Sequence, residues 1–184
     1  MTADLVSRAQ QGDHDAFSAL VRPHIDRLHG LAGLLLRDAT RAEDALQDAL
    51  LRAWRDLPRL REPDRFEAWL RRLVVNASHD EGRRLRRRRR EQPLEPFHDP
   101  GTGGGIGHLV DRDELARGFR RLKEDERTAI ALRFYLDLSS ADAADAMGLR
   151  EVTYRSRLHR ALKVLRAELS AQARTAIGQE DRSS

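Results

Sequence analysis

Between Gln92 and Asp111 the chain carries Pro93, Pro96 and Pro100 and then five glycines from Gly101 to Gly107. Proline lacks the backbone donor that a helix or strand interior needs, and glycine loses the most conformational freedom on ordering. Neither helix nor strand can therefore run through this stretch, and it divides the 184 residues into two parts of fewer than a hundred residues each. Parts of that size build only modest cores. With 40% hydrophobic, 35% charged and only 5% aromatic residues, helices that each bury one stripe are the economical solution. The expected fold class is all-α: two small helical bundles, residues 1–91 and 112–170, joined by a flexible linker at 92–111. A polar tail at 171–184 is expected to be disordered.

The second bundle should end in a helix-turn-helix. Ser139 with Asp142 fits a capping box, so a helix should begin near Ser140, and Ala143, Ala144 and Met147 give it a small apolar face. Gly148 suits the left-handed conformation that ends a helix. Beyond it Tyr154, Leu158, Ala161, Leu162, Leu165 and Leu169 recur at helical spacing and should face inward. The opposite face carries Arg155, Ser156, His159, Arg160 and Lys163. From Arg150 to Glu168 six basic side chains stand against two acidic ones. A helix of that charge suits the DNA major groove, where arginine can bond guanine in bidentate fashion for ~1–3 kcal/mol of discrimination. On spacing alone an ordinary hairpin with a solvated basic face explains the pattern as well. Ahead of it, Asp113–Leu122 and Glu124–Leu136 read as two further helices, which makes this part a four-helix unit.

In the first part, Ala3–Gln10 reads as a short helix ended by Gly12, with Asp13 placed to cap the next. Phe17, Leu20, Val21, Ile25, Leu28, Ala32 and Leu35 continue the inward stripe, and Pro23 must bend or divide that helix. Thr40 with Glu43 gives a second capping-box signature for a helix that runs to Pro58. Glu43, Asp44, Gln47 and Asp48 crowd its first turns. The helix dipole alone favours carboxylates there, and the same face could dock a basic partner surface. Phe66, Trp69, Leu70, Leu73, Val74 and Ala77 form the next core stripe, flanked by Arg71, Arg72, Asn76, Asp80 and Arg83. An aromatic helix beside basic residues can hold single-stranded DNA by stacking, although a tryptophan in such a stripe is more often core.

Charge is concentrated locally. Arg83–Arg90 is arginine at every position except Leu85, and removing those seven charges would turn the net charge of +4 negative. The run is too charged to pack and is expected to begin as a solvated helix end and then lose order. Basic patches rather than a uniform field point to nucleic acid. The absence of cysteine excludes disulfides and zinc-thiolate sites. No apolar run is long enough to span a bilayer and no signal-peptide core opens the chain, so a cytoplasmic location is expected. The glycines at 101–107 lack the Lys-Ser/Thr and preceding strand of a phosphate loop. The seven histidines show no metal-ligand spacing and no nucleophile–base pair stands out, so no enzyme activity, cofactor or metal is expected.

In order, the motifs resemble those of extracytoplasmic-function (ECF) sigma factors, the minimal branch of the promoter-recognition subunits of bacterial RNA polymerase. Gly12-Asp13 with Ala16-Phe17, then Ala42-Glu43-Asp44 with Gln47, Asp48 and Arg52-Ala53-Trp54, resemble the first half of sigma region two. Phe66-x-x-Trp69-Leu70 followed by Asn76, Asp80 and Arg83 resembles its second half, and Leu138-Ser139 with Thr153 to Ala161 resembles region four. The chain departs from the usual pattern at Lys123, where the family has proline, and at Val152-Thr153-Tyr154, where Gly-Thr-Val is typical.

The resemblance implies a set of roles. Asp44, Gln47, Asp48, Leu51 and Trp54 would dock on the clamp coiled coil of the polymerase's largest subunit, with the flap receiving the C-terminal part. Thr153, Arg155, Ser156, Arg157, His159, Arg160 and Lys163 would read the minus-thirty-five element as duplex, Arg157 and Lys163 through phosphate. Arg61, Phe66, Trp69, Asn76, Asp80 and Arg83 would serve minus-ten recognition and melting, with the Leu60–Phe66 loop and Asn76 forming a pocket for an unstacked base. An anti-sigma factor is an expected partner. The alternative is a stand-alone helix-turn-helix regulator with an amino-terminal dimerisation or sensor domain, which would bind a palindromic site without polymerase.

Overall fold

The computed structural model describes residues 2–91 and 118–180, and every regular element among them is helical. The linker expected at 92–111 and the last four residues of the expected tail lie outside the described residues.

Helix α1 (Thr2–Gln10) gives way at Gly12, whose φ of 94° needs no Cβ, to α2 (His14–Val21). Asp13 caps α2 by accepting from the Ala16 N–H (2.9 Å). Pro23 divides rather than bends: a 3₁₀ turn at Arg22–His24 separates α2 from α3 (Ile25–Leu36). The start of α4 (Ala39–Asp56) differs from the expected Thr40 cap. The cap is Asp38, which accepts from the Arg41 N–H (3.1 Å) and pairs with the Arg41 guanidinium (2.9 Å), while Thr40 lies exposed within the first turn. An aspartate two residues earlier offers the same acceptor with a charge that favours the helix dipole.

Helix α5 (Phe66–Glu91) also departs from expectation, because the arginine run stays helical instead of losing order. Arginine is a good helix former, and ion pairs of Arg83 with Asp80, Arg84 with Glu81 (3.8 Å) and Arg86 with Glu124 offset its self-repulsion. Past the linker, only 118–121 of the helix expected over 113–122 is described as helical. Helix α6 (Glu124–Ile130) opens with the Glu126 carboxylate accepting from the Lys123 N–H (2.9 Å), a bond that proline there could not donate. It widens into one π-helical turn over Ala131–Tyr135, closed by the Leu136 N–H on Ala131 O (3.2 Å). Helix α7 (Ser140–Ala146) and helix α8 (Glu151–Glu180) complete the chain. The backbone of α8 thus continues through much of the segment expected to be disordered, where alanine, glutamine and arginine are frequent.

The two helical parts share a core. Leu28, Leu31 and Leu35 of α3, Ala49 and Ala53 of α4 and Phe66, Leu70 and Val74 of α5 are buried together with Leu132, Leu136, Ala143 and Tyr154. A smaller cluster of Leu122, Ile130, Ala161 and Leu165 anchors α8 on α6. Along this seam Arg127 donates to Leu35 O (2.9 Å), the open end of α3, and Arg27 donates to Leu136 O (3.2 Å). Burial pulls the Arg127 guanidinium down to about 10, with the charge of Arg37 adding to the effect. The His79 Nε2 sits 3.0 Å from Thr128 Oγ1. Two helix-interior glycines admit the other part's side chains. A Cβ on Gly30 would overlap the Tyr135 hydroxyl, and one on Gly82 would lie 3.1 Å from Glu124 Oε1.

Candidate nucleic-acid and polymerase interfaces

The helix-turn-helix forms as its capping signals require. Ser139 Oγ accepts from the Asp142 N–H (3.1 Å) and donates to Asp142 Oδ2 (2.6 Å). Gly148 takes a φ of 65°, and the Leu149 N–H closes the turn on Ala144 O (2.9 Å). On α8 the inward side is Tyr154, Ala161 and Leu165. The Tyr154 hydroxyl donates to Ala129 O (3.0 Å), and burial raises its pKa. Thr153, Arg155, Ser156, His159, Arg160 and Lys163 are exposed on the other side. Arg155 is steadied by Glu151 at 2.5 Å, one turn back, where exposure makes the pair weak and easily exchanged for phosphate. Arg157 departs from its expected place. Its side chain is 25% exposed and pairs with Asp125 at 2.7 Å, so it braces α8 against α6 rather than standing free for phosphate.

A second surface is built by the loop before α5. Asp56, Arg59, Leu60, Arg61, Glu62, Arg65 and Trp69 line an open cavity of about 380 Å³. Its three guanidiniums stand against the carboxylates of Asp56 and Glu62, with Arg65 paired to Glu62 at 2.8 Å, so a net positive charge and an indole face are what the cavity can offer to an unpaired nucleotide. Trp69 is half-buried: it packs on the core and also walls the cavity. Two turns along the same face of α5, Asn76 is exposed, followed by Asp80 and Arg83. Burial would push the Asp80 carboxyl up, but the hydrogen bond and charge of Arg52 (2.9 Å), with the charge of Arg83, hold it below the ordinary carboxylate range. Phe66 is a correction. Only 1% exposed and 6.1 Å from Trp69 between ring centres, it is core and supports the wall from behind. Arg59 and Arg65 escape a reading of the sequence, because a 3₁₀ turn on each side brings them to the cavity and neither turn shows a periodic pattern.

The third surface is a stripe on α4. Asp44, Gln47 and Leu51 are exposed, Leu51 to 70%, and an open leucine among acidic and amide groups suits a protein partner. Asp48 belongs to the same face but is engaged by Arg52 at 2.6 Å. Trp54 is more enclosed than a free contact residue, since it stacks on His14 (4.3 Å) and meets Phe17 edge-on (5.2 Å). Among the described residues no helix is long and apolar enough to cross a membrane.

Residues 20–91 match the family model for Sigma-70 region 2, and residues 112–165 match that for Sigma-70 region 4. The chain is 36% identical over 166 residues to the ECF RNA polymerase sigma factor SigM of Mycobacterium tuberculosis, across 86% of this chain and 80% of that one. It is 32% identical to the RNA polymerase sigma-H factor of Pseudomonas aeruginosa, across 94% and 95% of the two chains. Among solved structures, CnrH in complex with the cytosolic domain of CnrY aligns with a TM-score of 0.68 at 28% identity, over 92% of this chain and 97% of that one. The sigma factor RpoE in complex with the anti-sigma factor NepR from Bartonella quintana aligns at 0.67 and 26% identity, over 84% and 96%. Helices, motifs and relatives agree: the chain belongs to the non-enzymatic sigma-70 family as an RNA polymerase sigma factor of the ECF type.

Proposed function

We propose that the α4 stripe of Asp44, Gln47 and Leu51, with Asp48 and Trp54 at its margin, docks on the clamp coiled coil of the largest polymerase subunit. The C-terminal part meets the flap. The exposed face of α8 reads the minus-thirty-five element as duplex through Thr153, Arg155, Ser156, His159 and Arg160, with Lys163 on phosphate. The cavity walled by Arg61 and Trp69, with Asn76, Asp80 and Arg83 beyond it, receives a base unstacked from the minus-ten element. Unstacking costs a few kcal/mol, which the indole and the guanidiniums offset. The observation that carries this reading is that α8 turns its basic face outward directly opposite a buried Tyr154–Ala161–Leu165 stripe.

Two DNA modules that share a core are held at one fixed spacing, whereas the two promoter elements lie more than a helical turn of ~34 Å apart on this reading. In this reading engagement of both elements opens the seam between the parts. The segment Gln92–Asp111 could then span up to ~65 Å at ~3.3 Å per residue while keeping both modules at high effective concentration on one promoter. An anti-sigma factor that grips the closed arrangement would hold the protein inactive, and the sigma factor RpoE solved in complex with the anti-sigma factor NepR supplies the analogy. Such a protein works in the cytoplasm, where polymerase and promoter meet.

The test is reconstitution. The full chain with core RNA polymerase is given a library of randomised promoters, and transcription from a defined subset with paired upstream and minus-ten motifs is the expected result. Failure to bind core polymerase, or selection of a palindromic duplex site by the chain alone, would refute it in favour of a stand-alone regulator.

A further inference from the structure

Val152 is 75% exposed and lies in the first turn of α8. A β-branched side chain weakens a helix slightly, and at this exposure no packing compensates. Its direction is specific. At ~100° per residue, Val152, Ser156, His159 and Lys163 fall within an arc of about 60°, directly across the helix from the buried Tyr154, Ala161 and Leu165. Val152 therefore heads the centre of the outward stripe.

Helix-turn-helix proteins bring the N-terminal residues of the second helix against base edges in the major groove. In unmodified DNA the apolar group displayed there is the C5-methyl of thymine. We infer that Val152 is a specificity-determining residue that packs on a thymine methyl in the duplex element read by α8. This rests on the reading of α8 as the duplex-reading helix.

The probe is a promoter selected by transcription with the full chain and core RNA polymerase. Each thymine of its upstream element is replaced singly by deoxyuridine, which removes the methyl and leaves every hydrogen-bonding group in place. At one position the wild-type complex should weaken about fourfold, the worth of one buried carbon. Val152→Ser should lose the same factor on the thymine duplex and become indifferent to the methyl there, whereas Val152→Ile should keep the discrimination. Matched melting temperatures for both variants separate this loss from misfolding.

Uniform insensitivity of the wild type to deoxyuridine, or a Val152→Ser variant that still senses the methyl, would overturn the assignment. Arg155→Ala and Arg160→Ala keep the two readings apart. If they abolish upstream selectivity while deoxyuridine has no effect, Val152 alone is misassigned; if they leave selectivity intact, the duplex-reading role of α8 fails with it.

Discussion

Gly30→Ala tests the seam with a single carbon. In the interior of α3 the exchange of glycine for alanine should stabilise by ~0.5–1 kcal/mol, since alanine surrenders less backbone freedom. Against that gain stands the Tyr135 ring, whose hydroxyl would overlap the new Cβ and whose Cζ would lie 2.8 Å from it. The ring must swing out of the seam or push the two parts apart, and overpacking of this kind costs ~1–3 kcal/mol. The steric cost exceeds the gain in helix propensity, so Gly30→Ala should destabilise the whole chain by roughly 1 kcal/mol. In a Tyr135→Ala background the obstruction is gone and the same substitution should stabilise. Chemical denaturation of the four proteins in the cycle measures both signs. Equal stabilisation by Gly30→Ala in the two backgrounds would show that Tyr135 does not rest on α3.

Leu51→Asp should weaken core-polymerase binding at least tenfold in a fluorescence titration while leaving the melting temperature unchanged, because an open leucine contributes to a partner rather than to the fold. Trp69→Ala should cost ~1–3 kcal/mol in binding of a single-stranded minus-ten probe by the polymerase complex, with duplex upstream binding unaltered. Burial lowers the His79 pKa below 6.5 against the opposing charges of Glu124 and Asp125, so the folded chain resists a proton that the unfolded chain accepts. The stability tied to His79 is therefore complete above about pH 6.5 and declines as pH falls below it; comparing melting temperatures at pH 5.5 and 7.5 for wild type and His79→Gln should show a smaller acid loss in the variant. Tyr154→Phe should cost ~0.5–1.5 kcal/mol by removing the bond to Ala129 O, read from a denaturation midpoint.

The helix-turn-helix was legible because its signals are local. Ser139, Gly148 and the Tyr154–Leu165 spacing each act within one or two turns, and all point the same way. Thr40 misled because Asp38 offers the same chemistry two residues earlier, and periodicity does not choose between neighbouring caps. Phe66, Trp54 and Arg157 show a different limit. An amphipathic pattern tells which side of a helix is apolar, but the depth of a side chain at the edge of that stripe depends on what packs beside it. His14 lies forty residues before Trp54 in the chain, so no local spacing announces the stacking that encloses the indole, and only the approach of α6 gives Arg157 its partner Asp125. The shared core was least visible of all, although Gly30 and Gly82 left a trace: glycines inside helices are costly unless something must come close.

On the proposed reading, the seam also sets the energetics of activation. A partner that binds only the open arrangement has its affinity reduced by the fraction of chains that are open, and every 1.4 kcal/mol of seam stability is about a tenfold reduction. The links across the seam are mixed in strength. Arg127 on the Leu35 carbonyl and His79 beside Thr128 are largely enclosed and resist loss, whereas the partly exposed Arg86–Glu124 pair contributes little and is readily exchanged for DNA phosphate. On the proposed opening, core polymerase must also separate Leu132, Leu136, Ala143 and Tyr154 from the leucines of α3 and α5, so its binding has to exceed the cost of exposing that shared core. A tighter seam would then weaken polymerase binding in proportion, and a looser one would strengthen it.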